Sequence, residues 1–259
     1  MKREKTEYAV QAVNNAIDIL EVLGDSDVEL SVSEIGAKLG LTRSNVQKLL
    51  ITLDKFGYVE HNRYTGNFRL GVKTFQISQS YINKLNLIDT SVQYLTELRN
   101  STGESAYISV LRGSKVVYLN LVETNKAVRV LSRIGNVGPA YATATGKAQL
   151  AFLEKKEFEK YFSEEKLEKV TENTIDSVET LIEELNKVRE NGYATDREEY
   201  ELGVRCVAAP VFNFIGKVIA GISVSAPKER LSDEKINGEI AMAVKSVARQ
   251  LSIKFGYQL

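Results

Sequence analysis

The segment Ser33–Leu50, which reads SEIGAKLGLTRSNVQKLL, constrains the fold more than any other part of the chain. Two short helices that cross at a steep angle need a small residue at the crossing and a turn residue that tolerates positive φ. Gly36 and Gly40 supply both at a suitable spacing. Apolar residues fall on the faces that would meet: Ile35, Leu39, Leu41, Val46 and Leu49. The sequence therefore predicts a helix-turn-helix, with Ser33 capping its first helix and Thr42 its second.

The outward face of the predicted second helix is polar, and a hairpin-like segment follows it. Donor- and acceptor-rich side chains of this kind suit base edges and phosphates in a major groove. The strand-like pair Tyr58–Glu60 and Asn67–Leu70 flanks a polar loop with Gly66, which predicts a wing that can lie along the adjacent groove. The predicted DNA contacts are Ser33, Thr42, Arg43, Ser44, Asn45, Gln47, Lys48, Arg63 and Tyr64.

Local charge supports this interpretation, because a protein binds duplex DNA largely through its phosphates. Residues 33–73 contain seven basic and three acidic side chains, although the whole chain has a formal net charge of zero. The excess is modest, so each subunit would make few phosphate contacts and a dimer would double them. Two alternatives stay open at this point: a three-helix module that binds nothing, and a winged helix that contacts another protein.

The remaining chain alternates between helical and strand-like patterns, which predicts an α+β fold with an antiparallel sheet. We expect a DNA-binding domain over residues 1–71, a linker helix over 72–86 and a second domain over 87–259. Strands are predicted at 106–111, 115–122, 127–133, 204–214 and 217–225, and helices at 146–153, 155–162, 178–191 and 232–255.

The composition excludes several classes of protein. A single cysteine, Cys206, allows no disulfide within the chain, and together with the single histidine, His61, it makes a multi-ligand metal site implausible. We therefore expect no metal and no cofactor. No apolar run approaches the length that spans a bilayer, and the N-terminus lacks the apolar stretch of a secretory signal. These observations predict a cytoplasmic protein that does not bind membranes.

Three stretches of the second domain have the chemistry of a ligand site. The run ATATGK at 142–147 leads into a helix, where free N–H groups would favour an anion, although an ordinary capped helix has the same pattern. Asp196 precedes an acidic loop and could simply be a solvated carboxylate, and a lone strand cysteine such as Cys206 is usually a small buried apolar residue. Ser223 and Ser225 are two apart in a predicted strand, so their hydroxyls share one face.

Taken together, these residues resemble the IclR-type bacterial transcriptional regulators over nearly the full length of the chain. The matching segments are AVNNAIDILEVL, LSVSEIGAKLGLTRSNVQKLLITLDKFGYVE, Phe68-Arg69-Leu70-Gly71, Thr102-Gly103-Glu104, ATGKAQLAFL, Asn173-Thr174-Ile175, ENGYATDREEYELGVRCVAAPVF and GISVSAP. The combination is much more specific than a helix-turn-helix alone.

This resemblance implies a winged helix-turn-helix joined by a linker helix to a GAF/PAS-like effector-binding domain. It also implies a homodimer, or a tetramer built from two dimers, that binds a near-palindromic operator in double-stranded DNA. A small organic acid would be the effector, and a hydroxylated or sugar-derived acid would suit the hydroxyl groups of the site. The expected effector-binding residues are Thr143, Ala144, Thr145, Gly146, Asp196, Cys206, Ser223 and Ser225.

Repression is the commoner mode of action in such a family and is the expectation here. The alternative is an activator of a catabolic operon that responds to an aromatic or keto acid. Two further hypotheses are an enzyme with Cys206 as its nucleophile and a protein-interaction module with a vestigial wing. No base is evident near Cys206 in the sequence, so an enzyme is not expected.

Overall fold

A computed structural model describes residues 10–84, 87–131, 134–163 and 167–258. The chain divides into two compact units, Met1–Asn86 and Leu87–Leu259. The first unit contains helices packed with a short hairpin, and the second contains a larger antiparallel sheet covered by helices. The fold is therefore α+β, with a helix-turn-helix domain at the N-terminus.

The first unit has four helices and two strands among its described residues. They are α1 (Gln11–Gly24), α2 (Val32–Leu39), α3 (Arg43–Lys55), β1 (Val59–His61), β2 (Phe68–Leu70) and α4 (Val72–Lys84). The core is formed by one apolar side of each of the first three helices together with the hairpin. Its buried members are Ile19, Leu23, Leu30, Ile35, Val46, Leu50, Val59 and Phe68.

The turn between α2 and α3 needs both of its glycines. Gly40 ends α2 in the left-handed region at φ 66°, where a side chain is disfavoured. A Cβ on Gly36 would lie 2.9 Å from the carbonyl oxygen of Leu41, so α2 approaches the backbone of the turn more closely than a residue with a side chain allows. The side chain of Thr42 caps α3 by accepting the Asn45 N–H at 3.4 Å, as the sequence predicts.

The N-cap of α2 is Ser31 and the prediction of Ser33 is wrong. Ser31 accepts the N–H of Glu34 at 3.3 Å, and the Glu34 carboxylate accepts the N–H of Ser31 at 2.8 Å. This reciprocal arrangement requires an acidic or amide residue three positions after the cap. Ser31 has Glu34 there, whereas Ser33 has Gly36, so Ser33 lies inside the helix with its side chain exposed.

The second unit is built on one antiparallel sheet of strand order β5-β4-β3-β8-β7-β6. The strands are β3 (Ser105–Arg112), β4 (Lys115–Val122), β5 (Val137–Pro139), β6 (Ala194–Arg197), β7 (Val204–Phe212) and β8 (Val218–Pro227). The helices are α5 (Leu87–Thr102), α6 (Ala144–Leu150), α7 (Lys155–Tyr161), α8 (Val178–Asn191), the single turn α9 (Asp233–Lys235) and α10 (Ala241–Lys254).

Each face of the sheet buries a separate apolar cluster. Helices α5 and α10 cover one face, and α6 and α8 cover the other. Helix α6 lies very close to β8, because a Cβ added to Gly221 would be 2.3 Å from the Thr145 Oγ1. A glycine at this position of β8 is thus what lets the helix approach the sheet.

Two predicted elements of the second unit differ from the structure. Residues 127–131, the described part of the strand predicted at 127–133, are not a strand. Two of their carbonyls accept hydrogen bonds from side chains instead: Arg230 donates to the oxygen of Val128 and Tyr107 to that of Val130. The C-terminal helix is also interrupted, since Gly238 adopts non-helical angles within a π-helical turn at Ile236–Ile240.

Candidate functional site

The outward face of α3 is the first candidate site. Arg43, Ser44, Gln47 and Lys48 are exposed and Asn45 is half-buried, while Val46 and Leu50 on the other side are fully buried. Burial on one side fixes the rotation of the helix and leaves a continuous polar face toward solvent. Thr42 precedes this face and is exposed too, although its hydroxyl oxygen serves as the helix cap.

The hairpin of residues 59–70, called the wing below, presents two further predicted contacts, while Ser33 is exposed on α2. Arg63 and Tyr64 lie in the exposed loop between β1 and β2. The His61 ring stacks on that of Phe68, with 4.6 Å between centroids, and Phe68 belongs to the core. One side of the hairpin is thus tied to the domain while its loop projects into solvent.

The second candidate site is a narrow cavity between α6 and the sheet, with a volume of about 30 Å³. It is lined mainly by hydroxyl, carboxyl and aromatic groups. The lining residues are Tyr118, Val130, Thr143, Ala144, Thr145, Asp196, Tyr200, Glu201, Val204, Cys206, Ser223 and Ser225. All of the residues predicted for effector binding except Gly146 are among them, although they come from four separate parts of the chain.

Gly146 is held away from the cavity by its role in the helix. A Cβ there would lie 2.2 Å from the carbonyl oxygen of Ala140, so the glycine permits a close backbone contact. Its N–H donates to the capping hydroxyl of Thr143 at 3.2 Å and is not free for a ligand. The Thr145 hydroxyl is also occupied, since it shares a 2.8 Å hydrogen bond with Ser109.

Five lining residues are absent from the sequence prediction. Tyr118 projects from β4, Val130 belongs to the segment that is not a strand, Tyr200 and Glu201 follow β6, and Val204 begins β7. Tyr118 falls on a predicted strand, but alternation alone does not distinguish a cavity wall from a core position. Val204 also falls on a predicted strand, whereas the positions of Val130, Tyr200 and Glu201 depend on loop conformation, for which the sequence carries no comparable signal.

Asp196 is the most perturbed acid in the cavity. Its side chain is buried, at 2% exposure, so the interpretation as a solvated carboxylate is wrong. Burial, followed by the nearby charge of Glu199, raises the pKa of Asp196 to about 7, against the opposing effect of Lys147. The Oδ1 atom accepts the Glu199 N–H at 2.8 Å, which fixes the orientation of the carboxyl group.

A buried ion pair lies next to Asp196 and involves Glu199. The Lys147 Nζ is 2.6 Å from both carboxylate oxygens of Glu199, and the lysine is 1% exposed. Burial raises the pKa of Glu199, and Lys147 opposes the shift. The only positive charge on α6 is therefore used inside the protein, and none of the described residues that line the cavity is a lysine or an arginine.

Cys206 faces the same cavity with chemistry that disfavours nucleophilic attack. Burial, followed by the negative charge of Asp196, raises the pKa of its thiol well above the ordinary value. A reactive cysteine needs the opposite shift, because the thiolate is the nucleophile. Within the described residues, no cluster of His, Cys, Asp and Glu could hold a metal ion, and no helix is long and apolar enough to cross a membrane.

Comparisons with known proteins agree with this architecture. The IclR helix-turn-helix domain matches residues 12–63, and the C-terminal domain of bacterial IclR transcriptional regulators matches residues 79–253. The regulator KdgR of Escherichia coli is 33% identical over 98% of this chain and 96% of its own. The repressor AllR of the same species is 29% identical over 95% of this chain and 90% of its own.

Solved structures give the same result. The IclR protein of Thermotoga maritima superposes with a TM-score of 0.74 at 32% identity, covering 95% of this chain and 98% of that one. The repressor BlcR of Agrobacterium tumefaciens superposes with a TM-score of 0.62 at 27% identity, covering 97% and 99%. These relatives are transcriptional regulators and not enzymes. The chain belongs to the IclR family and is a DNA-binding transcriptional regulator with a helix-turn-helix domain.

Proposed function

We propose that the protein is a repressor whose affinity for its operator is controlled by a small hydroxylated or sugar-derived acid. The observation that carries the effector part is the cavity, in which seven of the eight predicted effector-binding residues come together. Repression is supported by relatives that are named as repressors, AllR and BlcR. On this proposal the α3 face and the wing loop bind double-stranded DNA.

The polar groups of the cavity favour a ligand with several hydroxyls. Ser223 and Ser225 lie on one face of β8, and Tyr118 lies on the wall with them. Hydroxyl groups both donate and accept hydrogen bonds, so they pair well with a polyol chain. A hydrophobic acid could not form such hydrogen bonds, and a buried hydroxyl that loses its partner costs about 1–3 kcal/mol.

Asp196 would form a hydrogen bond with either a hydroxyl or the carboxylate of such a ligand. With a pKa of about 7 it is ionised in part of the population at neutral pH and accepts a hydrogen bond from a ligand hydroxyl. In its protonated form it donates to a ligand carboxylate, which matters because the cavity walls offer no lysine or arginine among the described lining residues. The ligand's negative charge would therefore be bound by hydroxyl groups and a protonated carboxyl.

The effector changes DNA binding only if it favours one arrangement of the DNA-binding domains over another. We assign this coupling to the region 72–86, which begins with α4, within a homodimer or a pair of dimers on a near-palindromic operator. The protein would act in the cytoplasm, where both the operator and small metabolic acids are found.

The test combines operator selection with an effector screen. Genomic fragments are first selected for binding, and sugar acids, neutral sugars, keto acids and aromatic acids are then added to the complex. Release of DNA by a hydroxylated acid supports the proposal, provided that Asp196→Ala and Ser223→Val abolish the response and still bind DNA. An unchanged response in both variants would place the effector elsewhere, and release by aromatic acids alone would contradict the ligand class.

A further inference from the structure

Glu29 is an acidic residue in the DNA-binding unit whose side chain reaches across to the wing. It lies between α1 and α2, and its side chain is 24% exposed. The carboxylate accepts hydrogen bonds from the Asn62 Nδ2 at 2.8 Å and 3.1 Å, one to each oxygen. It also accepts the hydroxyl of Thr65 at 3.0 Å. One side chain therefore binds both ends of the wing loop.

Asn62 passes this contact on to the backbone of the loop. Its Oδ1 accepts the N–H of Tyr64 at 3.0 Å and that of Thr65 at 3.3 Å. The amide orientation is fixed, because Nδ2 must face the acceptor-only carboxylate and Oδ1 must face the N–H groups. The network thus runs from Glu29 through Asn62 to the peptide groups on either side of Tyr64.

The neighbouring backbone places Glu29 in register with the hairpin. Leu30 and Phe68 exchange two hydrogen bonds, from each N–H to the other carbonyl, at 2.9 Å and 2.8 Å. The backbone next to Glu29 is therefore fixed beside β2. Its distance to Arg69 is 4.0 Å, whereas Arg69 lies 2.9 Å from Glu60, so the main partners of Glu29 are the wing-loop groups.

We propose that Glu29 is a positioning residue for DNA binding, which holds the wing loop so that Arg63 and Tyr64 face the duplex beside α3. The proposal rests on the proposed function in one respect, the contact of the wing with DNA. The change in DNA affinity expected on removal of Glu29 has the opposite sign to that of a general charge effect. A carboxylate near DNA repels phosphates, so removing it should tighten binding unless the carboxylate also organises the surface that binds.

The experiment compares three variants of the full chain: Glu29→Ala, Glu29→Gln and Glu60→Ala. Binding to a fluorescein-labelled duplex of arbitrary sequence is measured at low salt, and binding to the selected operator at higher salt. Glu60→Ala is the matched control, because it removes the same charge from the hairpin that Glu29 contacts and loses the ion pair with Arg69.

The expected result is weaker operator binding by Glu29→Ala, by about three- to tenfold, since two to three hydrogen bonds that order the loop are lost. Glu60→Ala should bind as well as the unmodified protein or more tightly. Glu29→Gln should retain most of the affinity, because its Oε1 still accepts a hydrogen bond from Asn62. Hydrogen–deuterium exchange should rise at residues 62–66 in Glu29→Ala alone, with α1 unchanged as the internal reference.

The remaining outcomes would contradict the role proposed for Glu29. Equal or tighter binding by Glu29→Ala, or a Glu29→Gln variant as weak as Glu29→Ala, would overturn the proposal. Faster exchange in α1 together with the wing would also overturn it, by showing a general loss of stability. If the unmodified protein binds neither duplex, the proposed function fails, and the exchange measurement still establishes or refutes the role of Glu29 in ordering the wing loop.

Discussion

The Lys147 ammonium lies 2.6 Å from each carboxylate oxygen of Glu199, with both side chains buried. The pair joins α6 to the turn after β6, two of the elements that line the cavity. Thr174 reinforces this turn by donating its hydroxyl to the Glu199 carbonyl oxygen at 2.6 Å. The cavity wall is therefore fixed by a buried ion pair.

Removing one partner of this ion pair should destabilise the second unit severely. Lys147→Met leaves the Glu199 carboxylate buried without its counter-charge, and we expect a loss of about 3–5 kcal/mol in the free energy of unfolding. The double variant Lys147→Met/Glu199→Leu removes both charges and should recover most of that loss. Urea unfolding followed by circular dichroism measures both. A single variant as stable as the double variant would contradict this account.

The buried carboxyl of Asp196 should make stability depend on pH. The pKa of about 7 in the folded state exceeds the ordinary 3.8, so the folded protein holds an extra proton between these values. The resulting stabilisation is complete below about pH 4 and is lost as pH rises through 7, at most about 4 kcal/mol in total. Asp196→Asn cannot ionise, and its Oδ1 still accepts the Glu199 N–H.

We therefore expect the melting temperature of Asp196→Asn, relative to the unmodified protein, to increase from about pH 5 to pH 8. Thermal scans across that range measure the difference. Asp27→Asn, at an exposed position, is the matched control for the loss of one carboxyl group. A constant difference between Asp196→Asn and the unmodified protein would show that this carboxyl is already ionised at pH 5.

The turn of the helix-turn-helix should not tolerate a branched residue. Gly40 has φ 66°, and a β-branched side chain is strained there although no neighbouring atom lies within 4 Å. Gly40→Val should cost the first unit roughly 1 kcal/mol or more through backbone strain alone. Gly40→Asn should cost less, because asparagine tolerates this region. Equal losses in the two variants, measured by thermal unfolding, would refute the backbone explanation.

Arg43 should affect DNA binding without affecting stability. It is exposed at the first position of α3, so Arg43→Ala should leave the melting temperature unchanged. Operator affinity should fall, and if the contact is to a phosphate the salt dependence should decrease by about one unit in the log–log slope. Lys254→Ala removes the same charge from the second unit and should bind as the unmodified protein does. A melting temperature lowered by Arg43→Ala would assign the residue a structural role.

The helix-turn-helix was predictable in detail because its determinants are local. Gly36, Gly40 and Thr42 each impose a conformation within five residues of their own position, and the sequence places them correctly. The cap at Ser31 is also local, but its recognition depends on pairing it with Glu34 rather than choosing the serine nearest the apolar run.

The cavity was predictable only in part, since its walls come from distant segments. Ser223 and Ser225 follow from strand alternation, and Asp196 and Cys206 from the family resemblance. Lys147 and Glu199 are 52 positions apart, and nothing in either local sequence indicates a buried partner. Residues 127–131 have strand-like composition, but two of their carbonyl oxygens accept hydrogen bonds from side chains that are distant in the sequence. A periodicity argument cannot detect such bonds.

The contact between Gly221 and Thr145 limits how this site can diversify. Any side chain at position 221 would push α6 off the sheet, so the separation of α6 from β8 is set by this contact. Tyr118 and Val130 line the cavity from other parts of the chain. New ligand preferences should therefore arise from substitutions at such lining positions, while the separation of the helix from the sheet stays constant.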